Sequence, residues 1–229
     1  MATMTEESFR TGTGSAPIEV FVPDPKPGRR AVLVLHGSAG IGREYHADIA
    51  SFAEALIAKE IAATIPHYFV PSPPAPGADP IGSIARGYVA WKRTCADALA
   101  FMAGDARFDP ARLAVIGFSL GGHFALTLGL DPRPGVTLKC IVDFFGPTLA
   151  PPLEGRFEKM PPVQIHHGSA DTTVYPRESE ALVARLKEAG KRENKDFFSQ
   201  SYPGQTHQFD RAALAKARAA TVAFIENQL

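Results

Sequence analysis

Short apolar runs alternate with amphipathic segments along most of this 229-residue chain. The run from Ala31 to His36 is almost continuously apolar, which is typical of a strand buried on both faces of a parallel sheet. The segment from Glu44 to Lys59 follows it, with apolar side chains at helical spacing. Because this alternation continues to the C-terminus, it predicts an α/β fold with a mainly parallel central sheet and helices on both faces.

The remaining predicted elements follow the same rhythm. Further strands are expected at Ile18 to Val22, Ile61 to Ile65, Leu113 to Gly117, Leu138 to Phe145, Val163 to His167 and Asp196 to Tyr202. Further helices are expected from Ile84 to Met102, around His123 to Leu130, from Glu178 to Ala189, and after Asp210 as N-cap. The first one or two strands are expected to add an antiparallel edge, and residues 1–229 to form one domain.

A proline-rich segment from Pro66 to Pro80 interrupts this alternation. Proline at this density excludes a helix or a central strand. Long irregular segments in compact domains often serve as lids or binding loops, and a solvated surface loop is the alternative of equal weight.

Composition and charge exclude several classes of protein. Lys and Arg number 24, as do Asp and Glu, so the chain lacks the large basic footprint expected of a nucleic-acid-binding protein. No apolar run is long enough to cross a membrane, and Met1 to Arg10 has no signal-peptide core. Cys95 and Cys140 fit no metal or redox motif and are expected to be buried free thiols. We therefore expect a soluble cytoplasmic protein.

The motif Gly117-Phe118-Ser119-Leu120-Gly121 carries the strongest chemical signal. The pattern GxSxG is weak alone, but here an apolar strand precedes it and a helix of small residues follows it. This strand–turn–helix setting is that of a nucleophile elbow, which presents a serine at the carboxyl edge of a sheet. We therefore predict Ser119 as a nucleophile, which needs a neighbouring base to take its proton.

His207 is the predicted base. It lies in the loop between the last predicted strand and the last predicted helix, where it can reach back to Ser119. Three other histidines follow the serine: His123 is too close to it in the same helix, and His166 and His167 end a predicted strand.

Asp171 is the predicted acid that orients this base. It follows the strand Val163 to His167 in a short turn, where a carboxylate can hold the imidazole of His207. Asp143 is the alternative, although its position inside an apolar strand also fits a buried structural carboxylate.

Acyl transfer also requires hydrogen-bond donors for an oxyanion. The backbone N–H of Leu120, directly after the nucleophile, is one expected donor. The other is expected from the glycine-rich loop His36 to Gly42, with Ser38 first and Ala39 next. This loop lacks the nucleotide-binding glycine patterns, so a phosphate cradle is disfavoured.

From about Pro17 to the C-terminus, the chain resembles the dienelactone hydrolases. The resemblance rests on five segments in their order and spacing: His36 to Gly42, Pro66 to Tyr68, Phe108 to Gly122, Gly168 to Asp171 and Gly204 to Phe209. It implies the α/β-hydrolase fold and the triad Ser119, Asp171 and His207.

Two departures from the founding members concern the nucleophile and its neighbour. They use a cysteine where this chain has Ser119, and they carry a glutamate near Gly37 that is missing here. Serine-bearing relatives look more like general carboxylesterases. Founding members also bind a substrate carboxylate with arginines, which makes Arg86 and Arg211 candidates, although solvated surface arginines are an equal alternative.

The sequence therefore predicts a serine hydrolase that cleaves a small ester or lactone, with no metal or cofactor and no nucleic-acid or membrane partner. The alternatives are a hydrolase-fold binding or signalling protein with negligible turnover, and an acyltransferase or peptidase that uses the same triad. The natural substrate and the oligomeric state stay open.

Overall fold

A computed structural model describes residues 3–12, 14–24, 26–70, 73, 80–131, 135–149 and 152–229, apart from the side chains of residues 43, 44, 80 and 81. Within these residues, eight strands form one sheet in the order β1-β2-β4-β3-β5-β6-β7-β8. The strands are β1 (Thr3–Thr11), β2 (Gly14–Val22), β3 (Arg29–Leu35), β4 (Ala62–Pro66), β5 (Phe108–Phe118), β6 (Leu138–Phe144), β7 (Val163–Gly168) and β8 (Phe197–Tyr202). Strands β3 to β8 all run in the same direction, whereas β2 is antiparallel to both of its neighbours, β1 and β4.

Five α-helices of the described residues cover both faces of this sheet. They are α1 (Arg43–Ile57), α2 (Pro80–Gly104), α3 (Leu120–Leu130), α4 (Arg177–Glu188) and α5 (Arg211–Gln228). Buried side chains of α1 and α5 pack in one core layer, and those of α2, α3 and α4 pack in the other. The predicted α/β-hydrolase architecture, with its antiparallel edge, is confirmed.

The N-terminal strand is the element that the hydrophobic pattern did not predict. Most side chains of β1 are exposed, and Phe9 alone among those described in this strand is buried. Its position depends on backbone pairing along the full length of β2, from Thr3 opposite Val22 to Thr11 opposite Gly14. Backbone pairing leaves no apolar periodicity in the sequence, so a polar edge strand escapes detection.

The central strands determine where chemistry can occur. Strands β3 and β5 are parallel neighbours, so the loops that follow Leu35 and Phe118 emerge at the same carboxyl edge. Strands β7 and β8 end at that edge too, because they continue the parallel set. Loops at the carboxyl edge of an open α/β sheet are the usual place for a ligand site.

Cys95 and Cys140 are both buried and free, as predicted. No helix in the described part of the chain has the length and apolar content needed to span a membrane.

Candidate active site

Ser119 lies in a tight turn between β5 and α3. Its φ angle is +54°, a left-handed conformation that a serine adopts only at a cost. A Cβ atom at Gly117 would overlap the carbonyl group of Gly121, and one at Gly121 would overlap the carbonyl group of Leu35. The two glycines of the motif are therefore required by close backbone contacts, and they allow the turn to present Ser119 at the sheet edge.

Three predicted site residues meet at this edge. His207 Nε2 lies 3.0 Å from Ser119 Oγ, and His207 Nδ1 lies 2.7 Å from Asp171 Oδ2. The three side chains come from the turn after β5, the turn after β7 and the loop after β8. Both distances are within hydrogen-bonding range, and they connect a hydroxyl, an imidazole and a carboxylate in series.

The Asp171 carboxylate is buried and fully hydrogen bonded. Its Oδ1 accepts the backbone N–H groups of Thr173 at 2.8 Å and Val174 at 3.0 Å. Burial alone would raise the pKa of Asp171, but the close approach of His167 and the hydrogen bond from His207 outweigh it and hold the pKa well below its usual range. The side chain therefore stays ionised at neutral pH and can stabilise a positive charge on His207.

The alternative acid Asp143 and two of the alternative bases, His123 and His166, lie outside this series. Asp143 is fully buried in β6, where its Oδ1 accepts the N–H of Gly146 at 3.1 Å. His123 is bonded to Tyr88 and to the carbonyl of Pro147, and His166 Nδ1 lies 2.9 Å from the Tyr202 hydroxyl. Those contacts hold the three side chains in the core.

The predicted oxyanion donors flank the serine. Leu120 is the first residue of α3, where the N–H groups of the first helical turn have no acceptor within the helix. Ser38 belongs to the loop after β3 and lines the cavity above Ser119. This loop approaches the elbow closely, because a Cβ at Gly37 would lie 3.3 Å from the Cβ of Ser119.

A cavity of about 640 Å³ opens above Ser119. Its walls combine aromatic and aliphatic side chains with several hydroxyl groups. The lining includes Tyr45, Ile49, Phe118, Phe145, Phe209, Leu214, Thr172, Thr173 and Thr206. Sequence patterns did not assign these residues to the cavity wall, because they come from separate segments that only the folded chain brings together.

Arg86 and Arg211 are both exposed, and neither belongs to the cavity lining. Arg86 lies on α2 and Arg211 begins α5. Of the proline-rich segment predicted as a possible lid, residues 71–72 and 74–79 lie outside the described residues.

Two residues near the triad were not assigned to the site from the sequence. Phe145 has a φ of +45°, and its ring centroid lies 4.5 Å from that of His207. His167, weighed only as an alternative base, has Nε2 3.5 Å from Asp171 Oδ2. No sequence motif indicates either contact, although the position of His167 four residues before Asp171 is a weak signal.

Three solved structures resemble this fold over nearly the whole chain. A dienelactone hydrolase-like promiscuous phosphotriesterase from metagenomic libraries aligns with a TM-score of 0.82 at 20% identity, covering 99% of this chain and 98% of that one. An esterase from the hyperthermophilic archaeon Pyrobaculum calidifontis aligns with a TM-score of 0.75 at 16% identity, covering 98% and 85%. A thermophilic carboxylesterase from a metagenomic library aligns with a TM-score of 0.75 at 17% identity, covering 99% and 89%. Identities this low establish the fold alone.

The family is established from the sequence itself. No curated protein is significantly similar to the chain. The model of the dienelactone hydrolase family, however, matches residues 18–224, which include every strand from β3 to β8 and all three residues of the Ser119–His207–Asp171 series. The chain therefore belongs to the dienelactone hydrolase family, and with it to the carboxylic ester hydrolases of the α/β-hydrolase fold.

Proposed function

We propose that this protein is a serine hydrolase that cleaves a small carboxylic ester or lactone through an acyl-enzyme intermediate on Ser119. The observation that carries the proposal is the continuous series Ser119–His207–Asp171, with contacts of 3.0 and 2.7 Å. A serine hydroxyl is a poor nucleophile at neutral pH, and a hydrogen-bonded imidazole supplies the base that it needs.

The proposed reaction has two steps. Ser119 Oγ attacks the ester carbonyl while His207 Nε2 takes its proton, and His207 then donates that proton to the leaving alcohol. Water attacks the acyl-enzyme in the second step, with His207 again as the base, and releases the acid. The N–H groups of Leu120 and Ser38 stabilise the oxyanion in both steps.

The cavity supports a small and largely uncharged substrate. Its volume of about 640 Å³ suits a short acyl group and a small alcohol, and its walls combine aromatic and aliphatic side chains with hydroxyl groups. Outside the triad, two ionisable side chains line the cavity among the described residues, Asp48 and Tyr45. Carboxylate binding by Arg86 or Arg211 stays a prediction, which kinetics with an ester of a dicarboxylic acid in Arg86→Ala and Arg211→Ala variants can test.

A fluorophosphonate reaction tests the nucleophile. We expect one covalent adduct by intact-protein mass, located on Ser119, with p-nitrophenyl acetate turnover lost in parallel. Ser119→Ala is expected to abolish both, and Ser51→Ala, a serine on α1 outside the cavity lining, is the matched control. Turnover that persists in folded Ser119→Ala would exclude the proposed nucleophile.

A partition experiment separates the alternatives. Under the proposal, water is the acyl acceptor and a pre-steady-state burst accompanies p-nitrophenol release when deacylation is the slower step. Transfer to an added alcohol that greatly exceeds hydrolysis would indicate an acyltransferase instead. Ligand binding without either product would indicate a binding protein.

A further inference from the structure

The Asp171 carboxylate has a second imidazole neighbour that the proposed reaction does not use. His167 lies near the end of β7 and is 4% exposed. Its Nε2 is 3.5 Å from Asp171 Oδ2, the same oxygen that accepts the hydrogen bond from His207 Nδ1. Two imidazoles therefore face one carboxylate oxygen, and His207 alone of the two contacts Ser119.

The ring of His167 is fixed by contacts on both nitrogens. Its Nε2–H donates to the carbonyl of Val174 at 2.8 Å, and its Nδ1 is hydrogen bonded to the hydroxyl of Ser179. Val174 also donates its own N–H to Asp171 Oδ1 at 3.0 Å. His167 therefore holds the same turn that satisfies the other oxygen of the acid.

The charges around His167 favour its protonated form. Asp171 faces it from the turn after β7, and the buried Asp143 acts on it from β6, while α4 contributes the neutral Ser179. Asp143 Oδ2 has no hydrogen-bond partner among the described residues. Burial lowers the pKa of His167, but the contacts with Asp171 and Val174 outweigh it, so the pKa is raised.

We propose that His167 is a positioning residue for the catalytic acid, which holds Asp171 in place and whose positive charge competes with protonated His207 for the same carboxylate oxygen. The inference rests on the proposed serine hydrolase function. Under this proposal the site holds a second histidine, and its positive charge at acidic pH makes the catalytic base weaker.

The pH profile of ester hydrolysis separates this role from a purely structural one. In His167→Gln the positive charge is lost, so Asp171 Oδ2 no longer faces two imidazoles and its negative charge acts on the catalytic base alone. The acidic limb of the kcat/KM profile is then expected to move upward by about half a pH unit. The position of the acidic limb depends on the charge near Asp171, whereas a general loss of stability leaves that position unchanged.

His166→Gln is the matched control. His166 is the neighbouring buried histidine of the same strand, but its ring contacts Phe144 and Tyr202 instead of Asp171. Burial lowers its pKa to about 3, so it carries no charge at the pH of the assay. We expect the acidic limb of this variant to match that of the wild type, and an equal shift in both variants would overturn the proposal.

A second pair of variants tests positioning. The amide N–H of His167→Gln can still donate to the Val174 carbonyl, whereas His167→Leu has no donor. We expect kcat to fall about 10-fold in the leucine variant with little change in KM, and the glutamine variant to recover most of it. Equal kcat values in the two variants would contradict a positioning role.

Histidine-selective NMR of the wild-type protein needs neither turnover nor a stable variant. The proposal requires the His207 signal to respond when His167 titrates, since the two share Asp171. A His207 curve with no such response would overturn the proposal even in an active enzyme. If the two histidines are coupled but Ser119 is not acylated, the proposed function is refuted and the coupling between the histidines still holds.

Discussion

Backbone strain at single residues is concentrated beside the proposed nucleophile and base. Among the described non-glycine residues, four have positive φ angles, and two of them, Ser119 and Phe145, lie in the site. A bulky side chain pays most for this conformation. Phe145 nevertheless lies against the His207 ring and lines the cavity, so its conformation serves the site and local preference is overridden.

Replacement of Phe145 by glycine and by alanine separates strain from ring contact. Both variants lose the ring that supports His207, so we expect kcat/KM for p-nitrophenyl acetate to fall about 10-fold in each. Glycine tolerates a positive φ and alanine does not, so Phe145→Gly should be more stable than Phe145→Ala by about 1 kcal/mol. Steady-state kinetics and chemical denaturation measure the two effects, and an alanine variant as stable as the glycine variant would argue against strain.

At the scale of elements, one carboxylate joins three segments around the site. Glu19 on β2 is 2.9 Å from Nε2 of His46 on α1 and 3.1 Å from Nε2 of His67, which follows β4. The next residue, Tyr68, donates its hydroxyl to the carbonyl of His36 at 2.6 Å, and His36 is the first residue of the glycine-rich loop that carries Ser38. The antiparallel edge therefore supports the wall that carries the predicted oxyanion donor.

We expect Glu19→Ala to lower the free energy of unfolding by about 2 kcal/mol, because the variant lacks a buried carboxylate that makes two charge-assisted hydrogen bonds. For a chain of this size that corresponds to a Tm lower by about 4 to 8 °C. Glu54→Ala, an exposed glutamate on α1, is the control.

The loss of stability in Glu19→Ala is also expected to depend on pH. Burial raises the pKa of Glu19, but hydrogen bonds from His67 and His46 outweigh it and lower the pKa below 4.5. The stabilisation is therefore present above pH 4.5 and is lost as pH falls through the folded value. Thermal melts across this range should show the two proteins converging in acid. A gap that stays constant would contradict the linkage.

At the scale of the whole molecule, the site is assembled from residues far apart in the chain. His207 lies 88 positions after Ser119 and 36 after Asp171, yet hydrogen bonds join them at one edge of the sheet. Parallel strand order brings the carboxyl ends of β5, β7 and β8 to that edge. The core beneath this edge holds the buried carboxyl group of Asp143.

We expect the contribution of Asp143 to the free energy of unfolding to fall as the pH rises toward neutral. Burial raises its pKa from 3.8 to about 7, so between these values the native protein keeps a proton that the unfolded chain releases. The contribution of this group to stability is therefore largest below pH 3.8 and falls as pH rises to about 7. Asp143→Asn removes this dependence.

Chemical denaturation of the wild type and of Asp143→Asn measures the effect. From about pH 5 to about pH 8, the difference in free energy of unfolding should change by about 3 kcal/mol in favour of the variant. Asp131→Asn, at an exposed aspartate after α3, controls for the substitution itself. Parallel pH dependences of the wild type and Asp143→Asn would show that Asp143 does not titrate in this range.

The central elements and the elbow could be predicted from the amino-acid sequence, because the signals for both are local. The apolar run before Gly117 and the periodicity of α1, α2, α4 and α5 reflect burial of each segment's own side chains. The glycines at 117 and 121 were predicted from the tightness of the turn, and the backbone contacts agree. The order of Ser119, Asp171 and His207 in the chain could be read in the same way.

Features that depend on contacts between distant segments became visible only in the folded chain. It added β1, which is held by backbone pairing, and it left Arg86 and Arg211 outside the lining of the cavity. It also turned His167 toward Asp171 and Phe145 toward His207. A residue's neighbours across a sheet edge are fixed by strand order and loop packing, and periodicity and local motifs do not encode these.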